Sequence, residues 1–173
     1  LPKSYLTCFR KNLRRNRKMI QHYIFEDGKV KEASLLEWCI MLECHERHLA
    51  ETLVGGIIYI STVFLGLDHG FRSKVPVLWE TMIFDNELLE ARQRDGLTPP
   101  QPKSELLGDL DGYQTRYCSL EEARLGHAVA LERCREFYPD LPVVHSPCEL
   151  GKMLPGREAK AAEIRESFAR HKY

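Results

Sequence analysis

No stretch of this sequence approaches the roughly 20 apolar residues needed to cross a bilayer. The longest apolar run, residues 57–67, is interrupted by Ser61 and Thr62, which excludes a transmembrane helix. Also missing is any Cys-x-x-Cys pair. The six cysteines, Cys8, Cys39, Cys44, Cys118, Cys134 and Cys148, are scattered, several at core positions of predicted helices. That is the pattern of reduced thiols in a cytosolic protein rather than of a disulfide framework. There is no His-Glu-x-x-His, no phosphate loop and no dinucleotide fingerprint, because Val54-Gly-Gly56 precedes a strand and not a helix. Ser61 and Thr62 stand in no Gly-x-Ser-x-Gly elbow, which argues against a serine nucleophile. Nothing repeats at a solenoid period.

What remains is an ordinary globular composition, 43% apolar and 29% charged over 173 residues, enough for one domain with a core. The formal charge of zero hides an asymmetry. Residues 1–18 carry seven basic side chains (Lys3, Arg10, Lys11, Arg14, Arg15, Arg17, Lys18) and no acidic one, leaving 18 basic against 25 acidic in the remainder. Such an arm suits nucleic acid, since its cations would release counterions from a phosphate backbone. The chain also opens at Leu1 with Met19 just before the first strand, so residues 1–18 equally fit an upstream or non-native extension. No continuous apolar stretch follows the charges, which argues against a secretory signal.

The strongest structural signal is residues 57–84. Two runs rich in β-branched and aromatic residues, Ile57–Leu65 and Val77–Phe84, flank a polar stretch holding Gly66, Asp68, His69, Gly70 and Pro76. This predicts a long β-hairpin at the centre of a sheet, since both faces of its first strand are largely apolar. Upstream, Asp27-Gly28 between short apolar pieces predicts a tight hairpin turn. Ser34-Leu-Leu-Glu37 is a capping box opening a helix expected to run to about Leu53, with Gly55-Gly56 as its stop. Residues 85–112 form a polar, Pro-rich excursion with at most a short helix at 86–94. Tyr113–Cys118 reads as a short strand, and Ser119-Leu-Glu-Glu122 as a second capping box. The helix after it should bury Ala123, His127, Ala130, Cys134 and Phe137. Residues 141–155 are turn-rich, and Arg157–His171 reads as a charged helix with a seam of Ala161, Ile164 and Phe168. The expected architecture is α+β: an antiparallel sheet around a long hairpin, with two or three helices mainly on one face. The domain spans residues 19–155, followed by a C-terminal helix at 156–173.

Chemistry-bearing residues concentrate at the hairpin. Asp68 and His69 leave the first strand in a Gly-flanked turn, Glu80 interrupts an apolar strand, and His127 sits on the buried helix stripe. Together they offer ligands for a divalent metal or an acid–base pair around water. The structural alternative assigns Asp68 to bonding its own turn, His127 to the core, and Glu80 to a cross-sheet pair with Arg116. Cys44 and His48, four apart in the expected helix, would make half a zinc site whose other half has no evident donors.

Ser61-Thr-Val-Phe-Leu-Gly-Leu-Asp-His69, Pro76-Val-Leu-Trp-Glu-Thr-Met-Ile-Phe84, Arg116-Tyr-Cys-Ser-Leu-Glu-Glu-Ala123 and Gly126-His127 resemble the pattern of a group of small uncharacterised proteins encoded by bacteriophages and prophages. The resemblance covers roughly residues 22–130. In that group Leu-Phe-Glu-Thr-Met is more usual in the second strand, and Thr-Trp stands where this chain has Ser119-Leu120; the 85–112 excursion is longer here. The resemblance implies an origin rather than an activity, and it groups Asp68, His69, Glu80, Arg116 and His127 as one site without a catalytic role. The leading expectation is therefore a phage or prophage accessory protein of the host cytoplasm, with no cofactor, that binds a ligand or a host or phage macromolecule. Two alternatives stand beside it. One is a hydrolase of nucleic acid or nucleotide using a metal on Asp68, His69, Glu80 and His127; the other is a nucleic-acid binder acting through Arg10, Lys11, Arg14, Arg15, Arg17 and Lys18.

Overall fold

The computed structural model describes residues 21–70, 74–86, 107–110 and 112–170. The basic arm, the helix expected at 86–94 (apart from Asn86) and the Pro-rich stretch fall outside them. The described elements form an α+β fold of three helices, a five-stranded antiparallel sheet and a separate two-stranded hairpin.

That hairpin pairs β1 (His22–Glu26) with β2 (Lys29–Ala33). Its two-residue turn is as expected: Asp27 and Gly28 both adopt positive φ, 50° and 76°, the geometry whose twist matches the flanking strands. Helix α1 (Leu35–Cys44) begins with the expected capping box, Glu37 N–H donating to Ser34 Oγ at 3.3 Å and Ser34 N–H to Glu37 Oε2 at 2.8 Å.

Helix α1 does not continue to Leu53. It stops at Cys44, and His48–Val54 is strand β3, joined to β4 (Ile58–Phe64) through Gly55-Gly56. Both glycines have positive φ, 61° and 76°, and Ile57 N–H bonds Val54 O at 3.2 Å. Gly55-Gly56 is thus a hairpin turn and not a helix stop. The extended alternative wins because residues 51–54 gain partners on both edges, β4 on one and β7 (Val143–Ser146) on the other. Strand β7 lies inside the segment read as turns. Strands β5 (Trp79–Asp85) and β6 (Gln114–Tyr117) complete the order β6-β5-β4-β3-β7, with β4 central as expected.

One face of this sheet carries Ile58, Ile60, Thr62 and Phe64 of β4 beside Ile83, Thr81 and Trp79 of β5, all buried. Helix α2 (Leu120–Phe137) lies on it through Ala123, Gly126, His127, Ala130, Leu131 and Cys134. Its capping box at Ser119 and Glu122 forms as expected. Phe137 does not join the stripe and is 48% exposed. The 3.6-residue period carries the buried line from Cys134 to Tyr138, which packs on the core in its place. Phe25, Met41, Phe64, Leu78, Trp79 and Ala123 form one cluster that fastens the first hairpin and α1 to the sheet. Helix α3 (Glu158–Arg170) packs on α1 through Ala161 and Ile164. No helix among the described residues is long and apolar enough to cross a membrane.

Gly126 is required where α2 crosses the edge of the sheet. A Cβ there would lie 2.0 Å from the hydroxyl and 2.1 Å from Cζ of Tyr117. Alanine would gain about 1 kcal/mol of helix propensity yet force the ring out of its site, so Gly126→Ala should cost a net ~1–2 kcal/mol. Tyr117→Ala should abolish the further loss, which urea denaturation of the two single variants and the double variant would measure.

Candidate functional site

Strand alternation divides the residues that the sequence groups together. Glu80 pairs with Arg116 and Val63 on the face of the sheet opposite α2, whereas Thr81, one residue on, points toward the helix and His127. Glu80 and His127 therefore lie on opposite sides of the sheet. The loop holds Asp68 and His69 for a third purpose. Asp68 Oδ1 accepts from Gly70 N–H at 2.7 Å and from Val77 N–H at 3.0 Å, and His69 N–H donates to Val77 O at 3.1 Å. Asp68 thus stabilises its own turn, and the grouping of all five residues as one site is corrected: only Glu80 and Arg116 come together. Among the described residues no group of three or more His, Cys, Asp or Glu side chains could hold a metal ion. Cys44 and His48 share no helix face, because α1 ends at Cys44, which is fully buried, and His48 begins β3 with its ring on Glu46. The cysteines described are free thiols.

His127 anchors a polar layer beneath α2. Its Nε2 lies 2.8 Å from Thr52 Oγ1, and its Nδ1 2.8 Å from Thr62 Oγ1. Thr52 reaches His145 Nδ1 at 2.9 Å, and Thr62 reaches Thr81 Oγ1 at 2.7 Å. The line His145–Thr52–His127–Thr62–Thr81 crosses four strands. A neutral imidazole offers one donor and one acceptor, so one threonine donates to the ring and the other accepts from it. Burial, with His145 nearby, lowers the pKa of His127 to about 4. The ring is a satisfied, uncharged core group, and it has two direct partners where the structural reading of the sequence requires one.

The opposite face is where chemistry reaches solvent. Three cross-strand rows run over it: Val144, Leu53, Tyr59 and Phe84; Ser146, Glu51, Ser61, Met82 and Gln114; and His48, Val63, Glu80 and Arg116. Arg116 Nε and Gln114 Nε2 both donate to Glu80 Oε1 at 2.6 Å, so the carboxylate that looks misplaced in the sequence is matched as expected. Two strands away, Glu51 Oε1 accepts from the Tyr59 hydroxyl and lies 3.6 Å from His48 Nε2, while His48 Nδ1 is 2.7 Å from Glu46 Oε1. Burial and the Glu51 carboxylate raise the Tyr59 pKa, and burial with Glu51 and Glu46 raises that of the Cys148 thiol to about 11. Cys148 is accordingly no thiolate nucleophile at neutral pH. Between the two carboxylates lies a recess of about 340 Å³, with Tyr59, Val63, Met82 and Phe84 among its walls.

Glu46, His48, Glu51, Tyr59 and Cys148 are absent from the sequence-derived site. For His48 and Glu51 the signal that could have found them is the period-2 pattern of residues 48–54, masked by reading that segment as helix. The chain matches no protein-family model, no curated protein and no solved structure.

Proposed function

We propose that the chain is an accessory protein of bacteriophage or prophage origin, working in the host cytoplasm, that acts by binding at the open face of its sheet. The supporting observation is the recess between Glu51 and Glu80. It combines an apolar, aromatic floor with two carboxylates, each held in place by fixed donors on Oε1. Preorganised acceptors beside apolar surface are the ordinary make-up of a ligand site. The chemistry selects an amphipathic ligand, with an aryl or alkyl body against Tyr59 and Phe84 and an amine or guanidinium directed at a carboxylate.

Titrating the isotopically labelled protein with a panel of arylalkyl amines and guanidines tests this. Shifts should concentrate on the amides of Tyr59, Ser61, Glu80, Met82 and Phe84, and affinity should fall about tenfold in Tyr59→Ala, roughly one lost aromatic contact. Shifts confined to other surfaces, or affinity indifferent to Tyr59→Ala, would remove the recess as the binding site.

A further inference from the structure

The layer under α2 is an unbroken line of hydrogen bonds in which each hydroxyl owns a single proton. Thr52 Oγ1 lies between two ring nitrogens, 2.8 Å from His127 Nε2 and 2.9 Å from His145 Nδ1. It can donate to one of them and must accept from the other. Thr62 Oγ1 stands in the same way between His127 Nδ1 at 2.8 Å and Thr81 Oγ1 at 2.7 Å. The direction of any one of these bonds therefore fixes the direction of all four.

The two rings differ in their access to solvent. His127 is buried, and burial with His145 nearby lowers its pKa to about 4, so between pH 5 and 8 it stays neutral with one N–H. His145 is exposed on β7, an edge strand. Histidine is the side chain whose charge ordinarily changes between about pH 5 and 8. The groups bonded to the rings are the hydroxyls of Thr52 from β3 and Thr62 from β4. On the buried stripe of α2 the other titratable group is the Cys134 thiol, which burial pushes up to about 11 and which is uncharged throughout. Glu51, the carboxylate of β3 nearest in sequence to Thr52, points to the opposite face with Ser146. Among the described residues neither ring is paired with a carboxylate.

Two proton arrangements satisfy every bond. In the first, His145 is neutral with its proton on Nε2, the nitrogen without a protein partner among the described residues and the preferred site in a free imidazole side chain. Its Nδ1 then accepts from Thr52, Thr52 accepts from His127 Nε2–H, and Thr62, accepting from Thr81, donates to His127 Nδ1. In the second, His145 is charged and Nδ1–H donates to Thr52. Thr52 must now donate to His127 Nε2, the His127 proton sits on Nδ1 and goes to Thr62, and Thr62 donates to Thr81. The two states differ by one proton, taken from water and held on His145 Nδ1. His127 keeps one proton in both, and only its position changes.

We propose that His145 is a proton sensor whose charge sets the tautomer of the buried His127 and, through Thr62, decides whether the Thr81 hydroxyl is committed to β4 or free to donate elsewhere. The state of an exposed ring on β7 is thereby carried to β5, past β3 and β4, by hydrogen-bond direction alone. The device is independent of the recess on the open face.

The test is a nitrogen-15 spectrum of the imidazole rings in the full, labelled chain, recorded from pH 8 to pH 5. At pH 8 His127 Nε2 should show the shift of a protonated, pyrrole-type nitrogen, and Nδ1 that of a bare, pyridine-type one. At pH 5 the two should have exchanged, with the same midpoint as the charging of His145. In His145→Phe, a change at an exposed strand position, and in Thr52→Val, which breaks the line while keeping His145, the His127 shifts should stay constant over the whole range. A His127 tautomer that stays the same in the wild type while His145 charges overturns the proposal, as does an exchange that survives His145→Phe. A His127 ring that becomes doubly protonated in step with His145, or a His145 ring that does not charge in this range, overturns it equally.

Discussion

As pH falls from about 6.5 toward 4, the protein should lose up to about 3 kcal/mol of stability through His127 alone. The pKa of His127 is lowered from 6.5 to about 4 in the folded chain. Between those values the unfolded chain takes up a proton that the native ring refuses. Stability is therefore fully present above the unfolded pKa and declines as pH drops toward the folded one. The groups facing the ring offer no compensating anion: they are the hydroxyls of Thr52 and Thr62, with His145 next along the chain. Urea denaturation of wild type and His127→Gln at pH 7, 5.5 and 4.5 checks this. The variant should be less stable at pH 7 by ~1–3 kcal/mol, for hydrogen bonds lost or distorted, but with a shallower dependence on pH over that window. Equal pH slopes in the two proteins would show that another group carries the acid sensitivity.

Trp79→Ala should cost about 3–5 kcal/mol, the range for emptying a large aromatic site. The side chain is fully buried, with ring centroids 4.9 Å from Phe64 and 5.7 Å from Phe25, the latter edge-on. It connects the first hairpin, the central strands and, through Ala123, helix α2. Its Nε1 is buried without a hydrogen-bond partner, so Trp79→Phe relieves an unmet donor while keeping most of the packing. The phenylalanine variant should lose ~1–2 kcal/mol, well short of the alanine variant. Comparable losses in denaturant midpoints for the two would mean that Nε1 finds a partner in solution or that the cluster cannot close around a smaller ring.

The division of the sheet has a direct chemical meaning. A hydrolytic site needs its ligands or its acid and base within a few ångströms of one reacting atom. Glu80 on one face and His127 on the other are separated by the sheet itself, and Asp68 is already bonded to two backbone N–H groups. Beneath α2 the histidine layer instead ties four strands together through side-chain hydrogen bonds.

Local chemistry was readable from the sequence. Both capping boxes, the Asp27-Gly28 turn, the central hairpin and the burial of His127 each depend on residues near in sequence or on one strong periodicity, and the Glu80–Arg116 pair, 36 residues apart, was legible because a carboxylate on an apolar strand needs a cation. The tertiary structure alone decided the rest. Strand β3 pairs with β4 along its length and with β7 over residues 51–54, and that pairing overrides a helix that local propensity would extend. Val143–Ser146 is a strand only because β3 lies beside it. Both faces of β4 are largely apolar, so the sequence could not say which one α2 would cover. That choice placed His127 inside and left Glu51, Tyr59 and Glu80 on the open face, because a one-residue change of parity sends every side chain of a strand to the other side.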